Sequence, residues 1–257
     1  MTSQLAPAAT SQAPYPGATD AAVAAWWQGV RLRRPGWGVP DFAIAVAAWL
    51  ILSIASAVPL VLFQEGTTGY AWTLLLATVV PWLGLGGWPW LISRLRGNGV
   101  RLDFGLRVHW ADIGWGLLFG VGALFAAGVI AWILTELFGE FDSSAGELAK
   151  ALQDFPVARL LFALAVGFGA PIVEELCYRG LLVTSLLKRG MNRWVAVAIA
   201  AALFAAMHLE PIRFVLLFAI GMILGWARIH RNNTTTAIVA HMINNLPGAI
   251  AILFLME

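Results

Sequence analysis

The sequence predicts an all-α, polytopic transmembrane helix bundle of about seven spans with its N-terminus inside. Three observations carry this. Of 257 residues 60% are hydrophobic and only 12% charged, with a mean hydropathy of +0.79, values that fit a multi-pass membrane protein. Seven apolar segments, 42–63, 70–92, 112–138, 157–187, 194–210, 212–229 and 236–256, each reach or approach the roughly 20 residues that a span needs. Finally, with the N-terminus inside, twelve of the sixteen Lys and Arg residues fall in inner loops or at inner helix ends, as the positive-inside rule requires.

In chain order, residues 1–25 are rich in Ala, Ser, Gln, Thr and Pro and read as a flexible tail. Trp26 to Trp37, carrying Arg31, Arg33 and Arg34, reads as an interfacial lead-in, so 1–37 forms one cytoplasmic unit. Residues 38–100 supply two N-terminal spans and 101–257 the remaining membrane domain. In the third span, Gly114, Gly116, Gly120 and Gly122, and in the sixth, Gly221 and Gly225, have the small-xxx-small spacing that lets helices approach. The fourth segment exceeds one straight crossing, and Pro171 after Gly167 and Gly169 predicts a bend there. The basic residues lie in short clusters between apolar runs, which excludes nucleic acid as a partner and leaves the lipid bilayer. The expected location is the cell membrane. The lone Cys177 offers no disulfide and reads as inert and buried.

Against this background Glu174-Glu175-Leu176-Cys177-Tyr178-Arg179 stands out. An unpaired charge at mid-membrane costs about 2.5–3.5 kcal/mol. Glu175 and Arg179, at i and i+4, form a pair on one helical face. Glu174 is left over, in the position of a general base. His208 lies near the outer end of the fifth span, four residues after Phe204, and the seventh span carries His241 and Asn245 at i and i+4 with Asn244 beside them. At 1.5 Å per residue, Glu174 stands about 21 Å above Lys188 and His208 about 21 Å above Trp194. A single histidine in an apolar helix reads as a packing residue. His241 and Asn245, about 9–15 Å above the start of their span, sit somewhat lower. Three helices delivering ionisable and amide groups to comparable depth read as a functional site, with a cluster that merely locks the bundle as the bland alternative. His109 and His230, in inner loops, read as solvated.

The series Glu174, Glu175 and Arg179, then Phe204 and His208, then His241 and Asn245 resembles the three motifs of the CPBP intramembrane proteases, which include type II CAAX prenyl endopeptidases and proteins of bacteriocin processing and self-immunity. The resemblance covers about residues 100–256, including Phe104-Gly105-Leu106-Arg107. It implies a membrane-embedded endopeptidase acting on a peptide or lipidated peptide. Glu174 would be the general base and His208 its partner, His241 and Asn245 would stabilise the oxyanion, and Glu175 with Arg179 would support Glu174. Two mechanisms stay open, one free of metal and one in which Glu174, His208 and His241 bind Zn2+ with a position left for water. The residues by themselves also leave open a proton-coupled transporter and a catalytically silent immunity or interaction protein.

Overall fold

The computed structural model describes residues 13–254. Ten helices and no strand occur among the described residues: α1 (Asp20–Trp27), α2 (Val39–Leu62), α3 (Thr68–Arg96), α4 (Val100–Asp103), α5 (Trp110–Phe138), α6 (Ser144–Ala151), α7 (Pro156–Lys188), α8 (Arg193–Met207), α9 (Phe214–Arg231) and α10 (Thr234–Phe254). Six of the seven expected spans, α2, α3, α5, α7, α9 and α10, are long and apolar enough to cross a membrane. The expected 194–210 span is α8, which has 15 residues. At 1.5 Å each these rise only about 22 Å, because the chain turns at Leu209, whose φ is 56°, ahead of Pro211. The bundle is therefore six full spans and one short helix.

At one end of the bundle the first residues of α2, α5 and α10 meet the last of α3, α7 and α9. Asp112 accepts from Arg107, Arg231 and Asn233, while Asp103 accepts from Trp37, Ser93 and Asn98. Arg228, fully buried, donates to the Arg179 carbonyl, Thr184 and Asn232. Buried polar groups must find partners, and these networks supply them. Phe104 is buried edge-on against Trp37, and its carbonyl accepts from both the amide and the hydroxyl of Thr234. Gly105, at φ +70°, is so close to Asn233 that a Cβ would lie 2.9 Å from its Cα. The Phe104 to Arg107 stretch thus fixes the start of α10.

The segment expected as flexible tail and lead-in is packed as far back as Tyr15; its residues 1–12 lie outside the described residues. Thr19 caps α1, and Tyr15, Ala18 and Ala22 form a small core with Val23, Leu32 and Leu102. Asn232 holds the Ala18 carbonyl and the Asp20 carboxylate. Composition missed this because the stabilising partners Leu102 and Asn232 lie about 80 and more than 200 residues away.

Small residues set the helix contacts at four of the six glycines expected to do so. A Cβ on Gly116 or Gly120 would lie 2.5 or 2.6 Å from Val239 or Ile243 of α10, and one on Gly221 or Gly225 would overlap Ala201 or Val197 of α8. Gly114 and Gly122 face open space. Around Pro171, α7 continues without interruption but changes register, with π-helical turns over Ala165–Gly169 and Leu176–Val183 on either side of Ala170–Glu175. Widened turns of this kind mark functional segments of helices.

Candidate active site

Glu174 and Glu175 sit between these two π-helical turns and face different surroundings. Glu175 is fully buried: its Oε1 accepts from Arg179 Nη1 at 2.6 Å and from His241 Nδ1 at 2.9 Å. Arg179, also fully buried, gives a second hydrogen bond to the Gly221 carbonyl of α9 and lies over the Phe204 ring at 4.9 Å. The expected Glu175–Arg179 pair is formed, and it gains a third member in His241. Glu174 instead reaches a cavity of about 580 Å³, its side chain 20% exposed.

Three helices, α7, α8 and α10, bring the motif side chains to that cavity. His208 caps the end of α8, its Nδ1 on the Phe204 carbonyl at 2.7 Å, which leaves Nε2 free. His241 is held by Glu175 at Nδ1 and directs Nε2 toward Glu174 at 3.8 Å, too far for a direct hydrogen bond and near enough for a shared small molecule. The Phe204 ring packs edge-on against His208, His241 and Tyr178, fixing both imidazoles with one aromatic side chain. Glu174, His208, His241 and Asn245 all line the cavity, whereas Glu175 and Arg179 stand behind it.

Asn245 has a second task that spacing did not reveal. In the π-helical turn the Ala170 amide bonds back to Ala165, so the next donor in register, for the Val166 carbonyl, belongs to residue 171. Residue 171 is proline and has no N–H. Asn245 Nδ2 fills the vacancy, donating to the Val166 carbonyl at 3.0 Å, and its Oδ1 accepts from Asn244. One amide hydrogen of Asn245 therefore braces α7 and the other is left for the cavity.

Glu174, His208 and His241, the set that the metal alternative needs, share the cavity, and each imidazole is held through Nδ1 with Nε2 left for the cavity. Among the described residues no three His, Cys, Asp or Glu side chains are drawn together into a cluster that could hold an ion. Cys177 is buried and free, as expected. His109 caps α5, accepting from the Ala111 amide, and His230, exposed, packs edge-on against Trp115.

The cavity mouth was not foreseen. Glu210 accepts from the Ser144 amide at the start of α6 and from Arg213, and these residues line the opening opposite the basic end. The i,i+3 spacing of Glu210 and Arg213 was the only available signal. In the adjoining loop, Lys150 hydrogen bonds to Asp142 and holds its carboxyl below the ordinary range.

Residues 156–247 match the family described as Rce1-like, type II CAAX prenyl endopeptidase Rce1-like. The matched stretch contains all three motifs and supports the CPBP family resemblance drawn from them. No curated protein and no solved structure matches the chain.

Proposed function

We infer that this chain, an integral multi-pass membrane protein of CAAX-protease type over residues 156–247, hydrolyses a peptide bond with water activated by Glu174. What carries the reading is one arrangement: side chains from α7, α8 and α10, one from each motif, line the same cavity. Of the two carboxylates that line the cavity, Glu210 is paired with Arg213, whereas Glu174 has no Lys or Arg partner among the described residues and only His241 Nε2 at 3.8 Å. It takes a proton from water as the oxygen attacks the carbonyl carbon, and the carbonyl π electrons move onto oxygen. Collapse of the tetrahedral species expels the amine, which receives a proton from Glu174, or from His208 Nε2 when that ring is protonated.

The free amide hydrogen of Asn245, and an Nε2–H on His241 when that ring is protonated, are the donors for the oxyanion. Glu175 supports this by holding His241 Nδ1, so that Nε2 is the nitrogen presented to substrate. Glu175 and Arg179 are thus positioning residues. The apolar walls, Leu124 and Ala127 of α5 and Leu216 and Ile220 of α9, suit a hydrophobic peptide or a lipidated one.

The test is cleavage of quenched fluorogenic peptides, with and without a prenylated cysteine, by purified protein in nanodiscs. Glu174→Gln and His208→Ala are each expected to lower kcat by at least about a hundredfold. Wild-type rates in either variant remove the assignment. Faster cleavage of the prenylated peptide would assign the substrate class.

A further inference from the structure

A second polar pocket lies at the opposite, basic end of the bundle, between the lead-in, the start of α2 and the end of α7. Its volume is about 420 Å³, and four cationic side chains, Arg34, Arg96, Lys188 and Arg189, line it with the single acid Asp41. Asp41 is already spent. Its Oδ1 pairs with Arg96, and its Oδ2 accepts the Gly38 amide as the cap of α2. Arg34 and Arg189, both exposed, have no ion pair or side-chain hydrogen bond among the described residues. Lys188 gives two of its three hydrogens to the Pro35 and Trp37 carbonyls, with its Nζ 3.9 Å from the centre of the Trp37 ring.

An independent observation points to a ligand. Ser185, one turn before Lys188 and Arg189, is 1% exposed and lines this pocket, yet its hydroxyl has no partner among the described residues. A buried hydroxyl without a hydrogen bond is costly, and here three uncompensated cations surround the same space. On its other side the pocket is walled by Pro40 and Ile44, and Ile44 begins the exposed apolar face of α2 that continues through Ile51 and Ile54. Basic pockets between transmembrane helices are where acidic lipid headgroups dock.

We propose that this pocket binds an anionic phosphate group, presented by the headgroup of an acidic phospholipid or as a free ion, with Ser185, Lys188, Arg34 and Arg189 as its donors. The site is independent of the proteolytic reading. Guanidinium groups bind phosphate in bidentate fashion, and the Ser185 hydroxyl supplies a neutral donor beneath them. The apolar wall then receives the acyl chains when the phosphate is a lipid's.

The test uses the full chain in detergent without phosphate, following the thermal unfolding midpoint as phosphatidylglycerol is titrated into mixed micelles. Phosphatidylcholine, whose choline cancels the phosphate charge, is the baseline, and inorganic phosphate is the second probe. Stabilisation by phosphatidylglycerol above the baseline, without competition from inorganic phosphate, supports a lipid source; stabilisation by inorganic phosphate supports a free ion. In Arg34→Gln/Arg189→Gln the half-saturating concentration is expected to rise about 25-fold, a factor of about five for each cation. Arg31→Gln/Arg101→Gln removes the same charge from exposed positions outside the pocket and should stay within about twofold of wild type. The proposal is overturned if neither probe raises the midpoint above the baseline, if the pocket pair binds like wild type, or if the control pair loses as much.

Discussion

Replacing Glu175 by Gln removes a negative charge from a place where water does not reach, while keeping the side chain's shape. Arg179 then keeps the Gly221 carbonyl and the Phe204 ring as neighbours but loses its only carboxylate partner. Both side chains of the pair are fully buried, and breaking such a pair from one side costs about 3–5 kcal/mol. At about 1.4 kcal/mol per factor of ten, that is two to four orders of magnitude in the folded-to-unfolded ratio. Replacing both partners, as Glu175→Leu/Arg179→Met, removes the stranded charge, so most of the loss should return. Activity should not return, because His241 Nδ1 has lost Glu175. Equilibrium unfolding in mixed micelles measures the first effect and peptide cleavage the second. If the single variant is as stable as wild type, or the double variant as unstable as the single, the buried pair is not coupled as described. A double variant that cleaves normally would separate His241 from Glu175.

The remaining predictions concern other contacts. Asn245→Ala strips the Val166 carbonyl of its donor and should cost about 1–2 kcal/mol; in a Pro171→Ala background, where residue 171 regains an N–H for that carbonyl, most of this cost should vanish, as a double-mutant cycle by denaturation will read. Gly120→Val drives a branched side chain into Ile243 and should destabilise by about 1–3 kcal/mol, against little change for Gly122→Val, which meets nothing within 4 Å. Strong chelators should leave cleavage unaltered and metal analysis should find well under one ion per chain, since the donors do not assemble a three-ligand site; loss of activity in chelator with recovery on Zn2+ would overturn that.

Much of this architecture was legible because hydrophobic length and charge placement are local quantities. The spans follow from runs of apolar residues, and the Glu175–Arg179 pair from a spacing of four on a helix. Depth arithmetic was enough to bring Glu174 and His208 to one level, and both line the cavity. What escaped depends on distant partners. Tyr15 and Ala18 look unstructured until Leu102 and Asn232 are in place. The role of Asn245 depends on a π-helical register at Val166, 79 residues earlier, which no pattern in α10 announces. Pro171 was legible as a special point of α7, but the way the helix meets the missing N–H, with wider turns and a borrowed side chain, was not. Depth arithmetic is likewise silent on a three-ligand cluster, because sharing a depth does not fix how close three side chains come.

The shortness of α8 has a further consequence for the surrounding bilayer. Its rise of about 22 Å falls some 8 Å below a hydrocarbon thickness of about 30 Å, and its Val195 and Leu203 face outward rather than into protein. A helix this short is matched by thinning of the adjacent lipid, by snorkelling of flanking residues or by association, and thinning would place a dimple above His208. On the function proposed above, water for hydrolysis would then have a shorter apolar barrier to cross, and a substrate could arrive from the headgroup layer without entering the membrane's midplane.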